Sequence, residues 1–207
     1  MGNTYQKVVM EVKEKIDTSL YNNIYVTSDT HFNHNREFIY KKRVFNSVEE
    51  MNANMINIIN NTLVKEDDIL IHLGDFCLNS NIDQFEAFIN AIKVKNLWLL
   101  DGNHNNPWSK NREKHKERIR YLGDYHSFKI KNYGTYILFH FPILVWDGQA
   151  HGSKLLCGHS HGDLQFSRPE TTVNKILDCG WDVHSRPLSL KEVDNILNRK
   201  TIHQLHH

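Results

Sequence analysis

The segment GHSH places His159 and His161 one residue apart, directly after the apolar run KLLC. Side chains alternate along an extended chain, so two residues one apart can lie on the same face. Imidazole nitrogens are common metal ligands, and two on one face could bind a metal ion. Because His-x-His pairs also occur on ordinary protein surfaces, this pair alone does not decide between a metal site and a solvated loop.

Residues that can ligate metals follow five predicted strands, at the point where each apolar run ends. The strands are NIYVTS, DILIHLG, NLWLLDG, TYILF and KLLCG, and the residues are Asp29, His31, Asp75, Asn103, His104, His140, His159 and His161. Open α/β sheets place their sites in the loops at the carboxyl ends of strands, so we expect these side chains to converge. One or two such coincidences would be ordinary, whereas five indicate a common site.

The predicted set combines two carboxylates, one amide and several imidazoles, and it contains no thiolate. Such oxygen and nitrogen ligands suit borderline first-row metals such as manganese, iron or zinc. The set exceeds what one tetrahedral ion can use, whereas two ions that share Asp75 as a bridge would use it better. Two divalent ions beside two aspartates leave a net charge of roughly +2, which would attract a phosphate ester for in-line displacement.

Composition and charge exclude several functional classes. The 207 residues include 25 basic and 24 acidic side chains, so the net charge of +1 gives no overall attraction to nucleic acid or membrane. The scattered Cys77, Cys157 and Cys179 are typical of reduced thiols. The sequence has no secretory segment and no apolar run that could span a bilayer, and Gln6 disfavours a myristoylation signal. We therefore expect a cytoplasmic protein without a membrane partner.

The order of the predicted elements indicates an α/β fold. Strands alternate with helices in the first half and dominate the second half, which favours two packed sheets flanked by helices. The apolar residues Val8, Val12, Ile16 and Leu20 are spaced as on an amphipathic helix. We expect this extension, residues 1–22, to pack on the domain or to mediate a dimer. The domain is predicted over residues 23–200, followed by a tail over residues 201–207.

Capping boxes predict the starts of two helices. Ser47 with Glu50 and Ser189 with Glu192 have the required spacing and precede apolar residues at helical steps. A further helix is predicted around residues 85–92, and a highly charged one over residues 107–120. Two strands are predicted in YHSFKIKNYGTYILFHF, and another in NKILDCG.

Five motifs carry a resemblance to a known family. The motifs DTH, GD, GNH, the histidine of FHFP, and GHSH occur in the order and rough spacing of the calcineurin-like metallophosphoesterase superfamily. The resemblance covers about residues 24–185 and is closest to short single-domain members found in bacteria and phages. The segments VFNSVEEMN and DCGWDVHSRPLSLKEV of this chain also resemble the sequences of those members. It implies a four-layer α/β/β/α sandwich of two mixed β-sheets flanked by helices, with a dinuclear metal site at one rim.

The resemblance also implies a role for each predicted residue. One divalent ion would be held by Asp29, His31 and His161, the other by Asn103, His140 and His159, with Asp75 between them. A water between two cations loses a proton readily and would act as the nucleophile. His104 would bind the phosphate and protonate the leaving oxygen. The implied activity is hydrolysis of phosphate mono- or diesters with two divalent ions, Mn²⁺ favoured over iron, zinc or nickel.

The substrate and the role of several residues stay open. We expect a small phosphate ester such as a nucleotide, and the near-neutral charge makes nucleic acid a less favoured partner. Asn105 stands where the family usually has Asp or Glu, which predicts altered support for His104. The alternative function is a catalytically inactive scaffold of the same fold, which would bind no metal.

Other polar residues allow both a structural and a functional interpretation. His34 is a solvated loop histidine or a substrate contact, and His72 is expected to be structural. The run from Lys110 to Arg120 is a solvated helix face or a basic wall for a polyanion. A second wall would consist of Arg36, Lys41, Lys42 and Arg43, and Trp108 could stack on a base. The remaining histidines are expected at the surface: His115, His126, His151 and His184.

Overall fold

Two mixed five-stranded sheets form the centre of the molecule. The computed structural model describes residues 14–104, 112–164 and 174–200. Sheet 1 contains, in spatial order, β10 (Leu188–Ser189), β2 (Ile24–Thr27), β3 (Ile69–His72), β4 (Asn96–Leu100) and β5 (Ile119–Gly123). Sheet 2 contains β1 (Glu14–Ile16), β6 (Tyr125–Ile130), β7 (Gly134–Phe139), β8 (Lys154–Cys157) and β9 (Ile176–Asp178). The predicted sandwich of two mixed sheets is confirmed.

Parallel pairing brings the carboxyl ends of the central strands to one rim. Among the described strands, β10 and β2 pair antiparallel in sheet 1 and β6 and β7 pair antiparallel in sheet 2, whereas the other pairs are parallel. A parallel bridge between Ser28, just past β2, and Gly180, just past β9, joins the two sheets at this rim. The loops after β2, β3, β4, β7 and β8 therefore meet where the sheets converge.

Five helices surround the sheets within the described residues. They are α1 (Glu37–Lys42), α2 (Val48–Thr62), α3 (Ile82–Ala91), α4 (Trp181–His184) and α5 (Leu190–Leu197). Ser189 and Glu192 form the predicted capping box of α5. The box predicted for α2 is half formed, because Ser47 accepts from the Glu50 amide whereas the Glu50 carboxylate accepts from Asn46. None of the helices among the described residues combines the length and apolarity needed to cross a bilayer.

Three apolar clusters hold the layers together. The first lies between the sheets and includes Val26, Ile71, Phe128 and Leu156, with residues of α5 at its margin. A second packs the opposite face of sheet 1 against α2 and α3. The third covers the opposite face of sheet 2 with Trp146 and Leu164. Strands β2 and β3 are buried on both faces, which explains why their sequences are nearly continuous apolar runs.

The N-terminal helix prediction is wrong for the residues that the structure describes. Glu14–Ile16 is strand β1, parallel to β6, and Thr18–Asn23 is a 3₁₀ helix. Four-residue spacing did not decide the structure here, because the edge of β6 offers backbone hydrogen bonds and the inter-sheet core takes up Ile16. Residues 1–13, including Val8 and Val12, and the tail 201–207 lie outside the described residues.

The charged helix predicted over residues 107–120 is also wrong in its described part. Residues 112–115 form one 3₁₀ turn, and β5 begins at Ile119 because sheet 1 pairs it with β4. Residues 105–111, which include Asn105, Trp108 and Lys110, lie outside the described residues.

A buried carboxylate ties the N-terminal segment, sheet 2 and α5 together. Asp194 of α5 accepts hydrogen bonds from the Tyr21 hydroxyl at 2.6 Å and the Tyr136 hydroxyl at 3.0 Å. The Lys154 ammonium lies 2.6 Å from the same carboxylate, and both side chains are almost fully buried. Such a group holds three segments that are distant in sequence, because each would otherwise bury an unpaired polar atom.

We predict that Asp194→Ala lowers the free energy of unfolding by about 3–5 kcal/mol, because it leaves a buried ammonium without its carboxylate. Urea denaturation followed by circular dichroism measures the change. Glu66→Ala, which breaks the exposed ion pair with Lys95, is the control and should leave stability nearly unchanged. Equal stability of Asp194→Ala and wild type would contradict the prediction.

We predict that the buried His72 makes the folded protein less stable in acid. The ring is fully buried in β3, with Nε2 3.0 Å from the Thr30 hydroxyl, and burial lowers its pKa from 6.5 to about 3. The unfolded chain takes up this proton below pH 6.5 and the folded chain does not. The stability contributed by the neutral ring is therefore complete above pH 6.5 and falls by up to about 1.4 kcal/mol per pH unit towards pH 3. Urea unfolding of the metal-free protein should show a shallower acid dependence in His72→Leu, and identical slopes would refute this.

Candidate metal centre

All eight predicted site residues lie in loops at the rim where the sheets converge. Asp29 and His31 follow β2, Asp75 follows β3, and the others follow β4, β7 and β8: Asn103, His104, His140, His159 and His161. Backbone hydrogen bonds extend the ladder beyond the strands, from the Asp29 amide to Gly74 and from the His31 amide to the Asp75 carbonyl. The loops are thus held by the same pairing as the sheets, which fixes the positions of the side chains they carry.

Five of these residues adopt a left-handed backbone. Their φ values are 55° for Asp29, 48° for His31, 53° for Asp75, 69° for His159 and 48° for His161. Each such conformation costs a non-glycine residue on the order of 1 kcal/mol and persists only where the surrounding structure enforces it. Because this strain is concentrated at the converging side chains, the backbone at the rim is shaped for side-chain placement rather than for stability.

Two glycines allow the loops to approach each other closely. A Cβ at Gly102 would lie 2.0 Å from the Asp75 Oδ1 atom, and one at Gly158 would lie 2.2 Å from the Asp29 Oδ2 atom. Any larger residue would displace the carboxylates. The glycines that precede Asn103 and His159 are therefore required for this packing, as expected for backbone close to a bound group.

Asp29, His31 and His161 form one group of potential ligands. Their donor atoms lie within 4.8 Å of one another. The Oδ1 atom of Asp29 is 3.8 Å from His31 Nε2 and 3.9 Å from His161 Nε2. These separations are too long for hydrogen bonds and match donors arranged around a common centre.

The Asp75 carboxylate lies close to three imidazole rings. Its Oδ2 atom is 3.6 Å from His31 Nε2, 3.7 Å from His104 Nε2 and 3.5 Å from His140 Nε2. Two further potential ligand groups follow, one of Asp75 with His31 and His104 and one of Asp75 with Asp29 and His140. One carboxylate that faces both sides of the cluster is the geometry needed for a bridging ligand.

Asn103 joins the second side of the cluster. Its Oδ1 atom lies 2.8 Å from His140 Nε2 and 2.8 Å from His159 Nδ1. The other nitrogen of His140 is 3.0 Å from the Leu73 carbonyl, which fixes this ring. The amide oxygen and the two imidazole nitrogens thus converge on one another, and these are the three residues that the family resemblance groups around one ion.

Unpaired buried atoms support the fit of a cation. Within the described part of the chain, the Asp29 Oδ1 atom and both ring nitrogens of His31 are buried without a hydrogen-bond partner. A buried polar atom without a partner is costly, and a carboxylate oxygen beside imidazole lone pairs is the donor set that a first-row divalent cation satisfies. The residues present therefore fit a bound metal.

Burial sets the protonation states that metal ligation requires. It lowers the pKa of His31 to about 2, so this ring is neutral and its lone pair is free. Burial also raises the pKa of Asp29, because its charge has too few compensating partners. Burial also acts to raise the pKa of Asp75. The hydrogen bond and the charge of His140 outweigh this effect and hold the pKa of Asp75 well below its usual range. Both carboxylates gain from a nearby positive charge.

The cluster has a buried floor and an accessible rim. Asp29, His31, Asp75 and His140 are at most 2% exposed, whereas Asn103 and His159 are exposed. The His104 side chain is 42% exposed and stands beside Asp75. A molecule from solvent can therefore reach Asn103, His159 and His104, while the side chains of the floor are buried beneath them.

Sequence reasoning missed two residues that support the ligands. The His161 Nδ1 atom is 2.6 Å from the Asp182 carboxylate, which also pairs with Arg43. Asp178 accepts from the Ser160 hydroxyl and the Gly162 amide and so shapes the GHSH loop. Asp182 follows the predicted strand NKILDCG, so the rule applied to the other strands would have found it, whereas Asp178 lies inside that strand and carries no such signal.

The remaining candidates are mostly engaged in structural contacts. Arg43, placed by sequence reasoning in a basic wall, is instead buried against Asp182, and Lys41 pairs with Glu37. His34 stands 5.5 Å from the His31 ring, with a lowered pKa because of its burial. The expected surface histidines are partly buried in three cases: His115 near Glu86, His126 near Glu14 and His184 near the Asp178 carbonyl. His151 is exposed.

Comparisons with known proteins found relatives in sequence and in fold. The chain is 31% identical over 185 residues to an uncharacterized protein of Methanocaldococcus jannaschii, covering 85% of this chain and 92% of that protein. It is 25% identical over 200 residues to the gene 66 protein of Mycobacterium phage L5, covering 85% and 94%. A solved protein of unknown function from Aquifex aeolicus superposes with a TM-score of 0.62 at 21% identity, over 84% of this chain and 98% of that one. This last likeness shows the fold alone.

A family model supplies the assignment. The model described as calcineurin-like phosphoesterase matches residues 23–207, which includes the two sheets from β2 onwards and every residue of the candidate metal centre. Members of this family are generally metal-dependent hydrolases of phosphoesters. On the strength of this match, the chain belongs to the calcineurin-like phosphoesterase family.

Proposed function

We propose that the protein hydrolyses phosphate esters with two divalent metal ions bound at the rim. The observation that carries the proposal is the convergence of three groups of potential ligands on Asp29 and Asp75, with buried donor atoms that lack hydrogen-bond partners in the part of the chain that the structure describes. Two adjacent cations would each use one side of the cluster and share Asp75. The family's general activity supports the same reaction class.

The chain's own residues divide into ligands and substrate contacts. Asp29, His31 and His161 would hold one ion, and Asn103, His140 and His159 the other, with Asp75 as the shared carboxylate. When bound, the ions supply Lewis acidity to the phosphate and lower the pKa of water at the site. The backbone amide of His104 donates to Asp75 Oδ1 at 3.1 Å, which places this residue at the mouth of the site.

His104 is best placed to act on the leaving group. Among His31, His104 and His140, whose Nε2 atoms lie within 4 Å of Asp75, His104 has the most exposed side chain. Its ring packs edge-on against the His31 ring, with 5.3 Å between the ring centres. A substrate phosphate above the two ions would lie within reach of the exposed ring. Protonated His104 would hydrogen-bond the phosphate and donate its proton to the leaving alkoxide, the role of a general acid.

The native ion is proposed to be Mn²⁺, with iron, zinc or nickel as alternatives, since the donor set is mixed oxygen and nitrogen. The substrate is proposed to be a small phosphate ester such as a nucleotide, because the mouth is open on the side of His104, His159 and Asn103.

A cytoplasmic location is likewise proposed from the reduced state expected of the three buried cysteines.

We predict that His104→Ala reduces kcat for a chromogenic phosphodiester by about 100- to 10,000-fold while Mn²⁺ binding stays intact, because only the proton donor is lost. Steady-state kinetics with saturating Mn²⁺ and calorimetric metal titration measure the two effects. His151→Ala, at an exposed histidine, is the matched control and should retain full activity. Wild-type rates in His104→Ala would exclude the proposed acid.

Asp75→Asn should lose both activity and metal, because the bridging charge is removed while the shape is kept. Metal analysis after dialysis is expected to give two equivalents for wild type and fewer for the variant. Asp67→Asn, at an aspartate that bonds Asn23, serves as the control. A wild-type protein without bound metal and without activity for any divalent ion would instead favour the inactive scaffold.

Metal binding should also stabilise the fold. Mn²⁺ at a free concentration 100 times its dissociation constant adds about 2.7 kcal/mol, which is on the order of 5–10 °C in Tm for a chain of this size. Asp29→Asn should remove most of this shift, since Asp29 is a buried ligand. Differential scanning calorimetry with and without chelator tests this, and an unchanged Tm on adding Mn²⁺ would contradict it.

A further inference from the structure

We propose that Arg43 and Asp182 act as one positioning unit that fixes His161 and the Asp29–Thr30 turn at a single metal position. The inference rests on the proposed function and extends it to two residues outside the ligand set. It is carried by a continuous set of short contacts that begins at a ligand ring, passes through a buried ion pair and ends at the backbone of a second ligand.

The first contact fixes the His161 ring. Its Nδ1 atom lies 2.6 Å from Asp182 Oδ2, while its Nε2 atom faces Asp29 Oδ1 at 3.9 Å. An Nδ1–H that donates to a carboxylate leaves the Nε2 lone pair free to bind a cation and makes it more basic. Asp182 therefore selects the tautomer of His161 that a metal ion requires.

The second contact fixes Asp182 itself. The Arg43 Nε and one terminal nitrogen donate to the two Asp182 oxygens at 2.8 and 3.0 Å, a bidentate pair. The two side chains are only 5% and 8% exposed. A paired carboxylate of this kind has its oxygens directed by the planar guanidinium, so Asp182 is held against His161 and kept from serving as a metal ligand.

The third contact reaches the first metal motif. The terminal nitrogens of Arg43 donate to the carbonyls of Thr30 at 2.7 Å and Asp29 at 2.9 Å. The Asp29–Thr30 turn contains a residue with a φ of 55°. One guanidinium thus holds the strained backbone beside Asp29 and, through Asp182, the ring of His161, although these ligands are separated by 132 residues in sequence.

His31 depends on the same unit indirectly. Neither of its ring nitrogens has a hydrogen-bond partner within the described residues, and its ring stacks on that of His161 at 5.1 Å with an interplanar angle of 16°. The orientation of His161 consequently limits the orientation of His31. All three ligands of this metal position are then aligned by one ion pair.

The backbone around Arg43 is also shaped for this contact. Val44 directly follows Arg43, has a φ of 66° and is largely exposed. A β-branched residue in the left-handed region is strained, and such strain persists only where other contacts enforce it. The buried contacts of Arg43 provide that constraint, since the guanidinium also packs against the Met51 and Met55 sulfur atoms at 3.8 and 3.6 Å.

The test measures Mn²⁺ binding by isothermal titration calorimetry on the full chain. We expect wild type to bind two ions, and Asp182→Asn and Arg43→Lys to bind one of them about 10- to 100-fold more weakly while affinity for the other changes little. Because the two residues act partly through the same ion pair, the loss of affinity in the double variant should be smaller than the product of the two single fold-changes. Arg186→Lys, in the exposed pair with Glu192, and Asp67→Asn are the matched controls.

Selective loss of one ion distinguishes positioning from general structural support. Circular dichroism of the metal-free variants checks folding, and Arg43→Lys decides the question should Asp182→Asn fail to fold. Two unchanged affinities in the folded variants, or equal weakening of both ions, would overturn the inference and leave the proposed function standing. A wild-type protein that binds none of Mn²⁺, iron, zinc and nickel would contradict the proposed function, and the inference with it.

Discussion

The burial of two carboxylates at one rim is the constraint on which the rest of the site depends. Asp29 and Asp75 are almost completely removed from water, and one Asp29 oxygen has no hydrogen-bond partner among the residues that the structure describes. Desolvated charge of this kind is strongly unfavourable unless positive charge lies next to it. Charge on the His140 ring supplies part of it, and a pair of cations would supply more at a place that the surrounding nitrogen and oxygen atoms line.

Interactions elsewhere in the fold offset the unfavourable free energy of this arrangement. The strained backbone of five residues at the rim opposes folding, and so does the His31 ring, which has no hydrogen-bond partner among the described residues. They are offset by three apolar clusters and by pairing that continues beyond the strands into the loops. The site is therefore built on rigid sheet ends, which keep ligands from distant parts of the chain within a few ångströms of each other.

Support from outside the ligand set also follows from burial. A ring such as that of His161 has two nitrogens, and only one of them can face a metal, so the other needs a fixed partner. Asp182 provides it and is in turn directed by Arg43, whose remaining donors bind the Asp29–Thr30 carbonyls. The exposed rim formed by Asn103, His104 and His159 needs less support because water can satisfy it. Rigidity at the floor and access at the rim are thus divided between different residues.

The sequence by itself determined the strands around the candidate site and which potential ligands meet there, because buried strands read as apolar runs and each run ends in a residue that can ligate metal. It also indicated two packed sheets, since the element order changes halfway along the chain. Only the tertiary structure decided that residues 14–16 form an edge strand, because a neighbouring strand outweighs a four-residue spacing. It alone placed Arg43 against Asp182 rather than in a basic wall, since such a pairing depends on chain convergence over 139 residues, which no local pattern encodes.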